Sequence, residues 1–305
     1  MRLPRQERLL LQQSTVATGV FLPPYEFPSQ PHPEVSASAL RHAANLHRYL
    51  ESPLHGPTVE AFDATVEWFD SVDPTGSRPL VLDSGCGTGR STRLTALRRP
   101  EALVVGVDRS LSRLERGGRA TDGDLPENAL LVRAELASFW RLLLSAYEGR
   151  LAARVARHQL LYPNPYPKPS QRGKRWHCHP ALPVALQLGG SLEVRSNWLP
   201  YLVEFREAVL SVAHGGSRVP APLRAAAAAH LPARLEPVVL RDAEGADGLS
   251  LFEVKYHALN DGLYRLRLGV ERERERAAVP VGGEVADRLV VTRNANGAVP
   301  GRLER

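Results

Sequence analysis

The sequence predicts an α/β chain: a doubly wound, mostly parallel sheet preceded by an N-terminal helical extension. Three observations predict it. Leu80–Leu82 and Ala102–Val107 are apolar runs without alternation, the pattern of parallel strands covered on both faces. The first run passes through Asp83 into a glycine-rich turn, Gly85-Cys86-Gly87-Thr88-Gly89, that opens a helical stretch. Further short apolar runs then alternate with helical segments, and βα units in series imply a parallel sheet with right-handed crossovers.

Taken in order, residues 1–35 carry Phe21-Leu22-Pro23-Pro24 with Pro28, Pro31 and Pro33, and read as extended or loosely ordered. Residues 36–50 and 57–70 read as two helices, the second with Val59, Phe62, Val66 and Phe69 at helical spacing. The turn cluster Asp73-Pro74-Thr75-Gly76-Ser77 marks the entry to the core. Beyond Asp108, Ser110–Gly117 reads as a short helix, Ala129–Val132 as a strand, Glu135–Tyr147 as a helix and His158–Tyr162 as a strand. Leu192–Ser196 is a fifth strand followed by a helix over Leu199–Val212. Leu235–Leu240, Phe252–Ala258 and Leu263–Val270 read as closing strands. The expected division is an N-terminal extension (1–75), a core domain (76–270) and a C-terminal tail (271–305).

A chain of 305 residues with 43% hydrophobic content can bury a sizeable core. No apolar run approaches the ~18 residues of a membrane helix, and the N-terminus lacks the small-residue cleavage site of a signal peptide. Cys86 and Cys178 cannot make a disulfide framework, so a reducing, cytoplasmic setting is expected. His177-Cys178-His179 are adjacent and cannot converge on one ion, so no metal is expected. The net charge of +6 suits a polyanionic partner. Its distribution says more: Lys168–His177 holds Lys168, Arg172, Lys174 and Arg175 without an acid, whereas Glu271–Arg276 (ERERER) is balanced and reads as solvated surface.

In a doubly wound fold the ligand sits outside the carboxyl ends of the strands, where Asp83 and Asp108 fall, and an acid at the second strand's end bonds ribose hydroxyls. The turn has neither a dinucleotide G-x-G-x-x-G nor the Gly-Lys-Ser/Thr ending of a P-loop. Its pattern, D-x-G-x-G-x-G with Gly85, Gly87 and Gly89, resembles the S-adenosylmethionine loop of class I methyltransferases over roughly residues 79–200. That ligand carries an ammonium and a sulfonium and no phosphate, so an acid beside the loop is welcome. A nucleotide-binding dehydrogenase and a ligand-free α/β domain are the competing readings.

YPNPYPK at 162–168 sets Asn164 between two prolines beside the cofactor end, with Tyr166 following; a local Asn turn is the alternative. With QRGKRWH after it, this segment resembles the F-P-D-P-W-x-K…K-R-R/W stretch of bacterial tRNA (guanine-N7)-methyltransferases. RSNWLPY (195–201) is similar to that family's T-D-x-x-x-Y element and SLFEVKY (250–256) to its T-x-F-E-x-K element. The resemblance covers about residues 76–265 and implies a Rossmann-like class I methyltransferase fold, S-adenosylmethionine as donor, and N7 of a guanine in the tRNA variable loop as acceptor.

By that resemblance Asp83, Asp108, Glu135 and Asn164 would line the cofactor, and Lys168, Asn197, Ser250, Phe252 and Glu253 would face the guanosine. Asn164 and Glu253 would be the catalytic pair, and Arg172, Lys174 and Arg175 would meet RNA phosphates. The partner would be tRNA; no membrane and no obligate protein partner is implied. The chain departs from the family at Asn164 and Asn197, where Asp is usual, and at Ser250, where Thr is usual. Guanine presents N1–H and N2–H donors, which a carboxylate accepts better than an amide does. The departures therefore leave three readings: guanine N7 transfer, transfer to another RNA base or a small molecule, and a catalytically idle S-adenosylmethionine- or RNA-binding protein.

Overall fold

Every residue of β1 (Leu80–Ser84) and β2 (Leu103–Asp108) is buried, as unbroken apolar runs demand of central parallel strands. The structure, a computed structural model, describes residues 31–117, 124–146, 150–238, 240, 248–259 and 262–269. Besides β1 and β2, its sheet contains β3 (Ala129–Arg133), β4 (Val155–Leu161), β5 (Ser191–Ser196), β6 (Ala233–Pro237) and β7 (Tyr264–Leu268). The order is β3-β2-β1-β4-β5-β7-β6. Strands β1 to β5 run parallel, and β7 lies antiparallel between β5 and β6. Strand order reverses between β1 and β4, which opens a crevice at their carboxyl ends. The doubly wound, mostly parallel, Rossmann-like α/β fold is the one the sequence predicts.

Helices α1 (Pro33–Ala44), α2 (Leu46–Glu51) and α3 (Gly56–Val72) precede the sheet. They share its main core: Val35, Ala39, Phe62 and Phe69 cluster with Leu80, Leu103 and Phe139. Phe62 meets Phe139 edge-on, with ring centroids 5.2 Å apart. Helix α4 (Arg90–Arg98) follows the glycine loop, α5 (Leu111–Gly117) follows β2, α6 (Leu136–Ser145) follows β3 and the single turn α7 (Arg150–Ala153) leads into β4. Two 3₁₀ turns, Pro169–Lys174 and Trp176–Cys178, then lead to α8 (Leu182–Gln187). After β5 come α9 (Leu199–Ala213), α10 (Ala221–Ala229) and, late in the chain, α11 (Leu251–Ala258).

Three expectations are corrected. Phe252–Ala258 is not a strand but most of α11, because Ser250 caps it: its hydroxyl accepts from Glu253 N–H at 3.2 Å. Ser-x-x-Glu is a capping-box signature and overrides the apolar reading. Pro33–Val35 is helical rather than extended, since proline is at home in a first helical turn. The helix expected over 36–50 is divided at Asn45, whose side chain donates to Arg41 O at 2.8 Å. Residues 1–30 and the tail 271–305 lie outside the described residues.

Candidate active site

The glycine loop leaves β1 and turns at positive φ at Gly85 (79°) and Gly87 (62°). A side chain at Gly87 would meet nothing within 4 Å, and one at Gly85 only Leu136 Cδ1 at 4.0 Å. The loop is therefore open on the side where a ligand would press against backbone. Gly89, also at positive φ, stands just before α4. Beneath the loop, Asp83 is fully buried, and its Oδ2 accepts from Ser91 Oγ at 2.5 Å and Thr92 Oγ1 at 2.8 Å. Its Oδ1 is buried with no hydrogen-bond partner. Burial raises the acid's pKa from its ordinary 3.8 to about 6, against the pull of the two hydroxyls.

Asp108 closes β2 and ties it to the loop: Oδ2 accepts from Gly87 N–H at 3.0 Å and Oδ1 from Ser110 N–H at 2.8 Å. A carboxylate has about four acceptor sites, so two remain for a pair of vicinal hydroxyls. Open glycines, a carboxylate at the end of β2 and a buried acceptor lacking a donor would all fit a nucleoside that carries cationic groups. Glu135 ends β3's loop as the N-cap of α6, its two oxygens accepting from Ala137 N–H at 2.9 Å and Ser138 N–H at 2.7 Å.

Across the crevice, the YPNPYPK loop leaves β4 under backbone strain. Tyr162 and Tyr166 adopt φ of 52° and 43°, positive values rare for bulky residues and found mainly where function holds them. Asn164 is exposed, and its Oδ1 accepts from Tyr166 N–H at 3.1 Å, so the amide presents its NH₂ group outward as a donor. Lys168 is exposed at the start of the 3₁₀ turn. Lys174 lies with its ammonium 5.9 Å from the centre of the Tyr166 ring.

Arg175 and Arg172 correct the expectation of a free basic stretch. Arg175 is only 4% exposed and bonds Glu204 at 2.7 Å, so it does not reach RNA phosphates. Arg172 is paired with Glu34 of α1. Charge of one sign in the sequence is thus partly neutralised by acids that arrive from other helices.

Glu253 needs the larger correction. The family resemblance sets it against the guanine edge as an acceptor, but it is fully buried with both oxygens engaged. Oε1 accepts from Arg195 at 2.7 Å and Oε2 from Leu249 N–H at 2.6 Å. Arg195 also bonds Glu193 at 2.6 Å, and Glu193 bonds Arg157 at 2.7 Å. This chain of charges sets α11 against β5. Phe252, 46% exposed, lies nearly parallel to Tyr162 with centroids 6.0 Å apart, and Tyr256 flanks both. Arg90, at the start of α4, donates to Gly248 O at 3.4 Å and so joins this segment to the glycine loop. Asn197 stands half-buried just past β5.

A family described as putative methyltransferases matches residues 77–214, from just before β1 to the end of α9. The match contains the glycine loop, Asp108 and the strained loop after β4. Residues 77–214, under half of the chain, are thus similar to this methyltransferase family. Over 98 residues the chain is also 35% identical to a tRNA (guanine-N(7)-)-methyltransferase of Rubrobacter xylanophilus. That alignment covers 32% of this chain and 41% of the relative, so the chain spans about two fifths of that relative's length. Among solved structures, the aminoglycoside resistance methyltransferase NpmB1 is similar at 20% identity and a TM-score of 0.37, over 71% of this chain and 94% of that one. The 16S rRNA methyltransferase KamB is similar at 22% identity and a TM-score of 0.39, over 68% and 94%. Both are loose superpositions.

Within residues 77–214, Ser91, Thr92, Arg195 and Glu204 escaped sequence reasoning. The hydroxyls had a signal, since Ser91-Thr92 sits in the first turn of the helix that the glycine loop opens. So did the Ser250–Glu253 capping spacing. Glu204 gives no local sign, because its partner Arg175 is 29 residues away.

Proposed function

We propose that the chain is an S-adenosylmethionine-dependent methyltransferase acting on N7 of a guanine in the tRNA variable loop. The observation that carries the reading is the pairing, across one crevice, of an open glycine loop closed by Asp108 with a strained, proline-stiffened loop bearing an exposed amide. The similarity to a tRNA (guanine-N(7)-)-methyltransferase supports the choice of acceptor. tRNA would be the partner and the cytoplasm the setting.

S-adenosylmethionine, when bound, supplies an electrophilic methyl group on a sulfonium. Asp108 would hold the ribose hydroxyls, the backbone of Gly85 and Gly87 would floor the site, and Asp83 would set negative potential beneath the cationic end. Guanine N7 has a lone pair and no proton, so the residues need not supply a general base. They must align acceptor and methyl, and alignment alone can remove much of the barrier. Asn164 contributes here: an NH₂ donor suits O6, which neighbours N7, rather than N1–H. With Glu253 sealed in its ion pairs, recognition falls to Asn164, Asn197 and the aromatic face of Phe252.

Purified protein, unmodified tRNA and labelled methyl donor, read by nucleoside mass spectrometry, test the reading. Label on 7-methylguanosine is the expected result. Label on another nucleoside would transfer the activity to that base, a reading favoured by the engagement of both Glu253 oxygens inside the protein. Label on none would leave a small-molecule methyltransferase or a binding protein.

A further inference from the structure

We propose that Arg175 is a positioning residue that fixes the YPNPYPK loop from inside the protein. The inference rests on reading that loop as the acceptor end of the site. Beyond the bond from Tyr166 N–H to Asn164 Oδ1, the loop has few donors of its own: Pro163, Pro165 and Pro167 have no N–H, and Tyr162 and Tyr166 sit at positive φ. Such a conformation persists only where its surroundings over-determine it.

Arg175 supplies that constraint. Its Nε and one Nη donate to Tyr166 O at 3.2 and 3.0 Å, and the same Nη reaches Pro167 O at 3.4 Å. The other Nη bonds Glu204 Oε2 at 2.7 Å, and the guanidinium plane lies 4.9 Å from the Trp198 ring centre. Glu204 is itself held on α9, where it also meets His177 Nε2 at 3.0 Å. The Tyr201 hydroxyl accepts from Trp176 N–H at 3.2 Å, so the segment around Arg175 is pinned to the same helix. The brace thus runs from a core helix, through one planar fork, to the carbonyls of the strained residue and its neighbour. A guanidinium can do this in several directions at once; an ammonium is a point charge without the fork.

Arg175→Lys separates a brace from a phosphate-binding residue, because it keeps the charge and loses the fork. For a brace, kcat with tRNA falls on the order of 10- to 100-fold. Affinity for tRNA, its salt dependence and affinity for S-adenosylmethionine stay at wild-type values. Glu204→Gln, a change at a residue turned away from solvent, gives the same loss in kcat. The inference is overturned if Arg175→Lys keeps wild-type turnover while Arg175→Ala lowers the salt slope by about one, the signature of a phosphate ligand. A crystal structure of Arg175→Lys gives a readout independent of activity. Tyr166 leaving positive φ supports the brace, and Tyr166 unmoved overturns it. If wild-type protein methylates no tRNA nucleoside, the acceptor reading fails by itself, and loop geometry still decides the brace.

Discussion

The two sides of the crevice treat charge in opposite ways. On the β1–β2 side, Asp83 is buried with one oxygen unpartnered and its pKa pushed up to about 6 by burial. On the β4–β5 side, the buried carboxylates are paired: Glu193 with Arg157 and Arg195, Glu253 with Arg195, Glu204 with Arg175 and His177. An unpaired buried acceptor asks for a ligand or a water. A closed ion-pair chain asks for nothing, however catalytic its residue types look, and acts as framework. The crevice is thus an open floor facing a braced wall.

The largest effect should come from breaking the wall. Arg195→Met takes from the buried Glu253 its ion-pair partner and deprives Glu193 of its shortest ion pair. Removing one partner of a buried pair typically costs about 3–5 kcal/mol. Urea unfolding should register a loss of that size. A loss below ~1 kcal/mol would mean that water reaches these charges and that the wall is not framework.

The second test uses pH, because the two sides carry opposite signs. Asp83 has its folded pKa raised from 3.8 to about 6, so the folded state keeps a proton that the unfolded chain has released. Its contribution to stability therefore falls as pH rises from about 4 to about 6, by up to roughly 3 kcal/mol. For Glu193, burial pushes the pKa up, but Arg195 and Arg157 more than offset it and the net direction is down. For Glu204, burial is likewise offset, by His177 and Arg175. Their stabilisation is present above the unfolded glutamate pKa and is lost as pH falls through the lowered values. Denaturant titrations from pH 4 to 7 on wild type and Asp83→Asn should differ in slope between pH 4 and 6, whatever the offset between the two curves. Parallel curves would remove the charge asymmetry.

The same contrast explains what could be read from the sequence. The floor was legible because backbone makes it: β1, the glycine turn and Asp108 lie close in sequence, and their spacing imposes the geometry. The wall was not, because its bonds join distant residues. Arg195 and Glu253 are 58 residues apart, and Arg172 and Glu34 are 138 apart. The family resemblance gave Glu253 to the substrate and the acid-free charge run gave Arg175 to RNA, whereas burial assigns both to the framework. Ser250–Glu253 is a different failure: the capping spacing was visible, but an apolar stretch late in an α/β chain reads as strand until the cap is weighed.

A third test sharpens the floor. Asp108→Ala removes the carboxylate proposed to hold ribose hydroxyls and frees Gly87 N–H from its acceptor. Calorimetry should show S-adenosylmethionine binding weakened by about 1.5–3 kcal/mol, the range for hydrogen bonds to a charged group. Arg195→Met, if folded under the same conditions, should bind it with near wild-type affinity, since its partners lie on the opposite side. Tighter binding of a nicotinamide dinucleotide than of S-adenosylmethionine would reassign the floor.

The smallest expected effect concerns the surface of the wall. Once Arg175 is inside and Arg172 is held by Glu34, the basic run offers RNA chiefly Lys168 and Lys174. Lys168 ends the YPNPYPK loop, and Lys174 lies over Tyr166, the residue whose carbonyl Arg175 grips. Lys168→Glu with Lys174→Glu should therefore weaken tRNA binding and lower its salt slope by about one for each phosphate no longer neutralised. Affinity for S-adenosylmethionine should not change. Arg172→Ala should alter the slope less than either lysine, because its charge is already met by Glu34. Filter binding across a salt series distinguishes the three positions. A larger slope change for Arg172 than for the lysines would mean that RNA displaces α1's Glu34, and that the neutralised part of the wall opens when RNA binds.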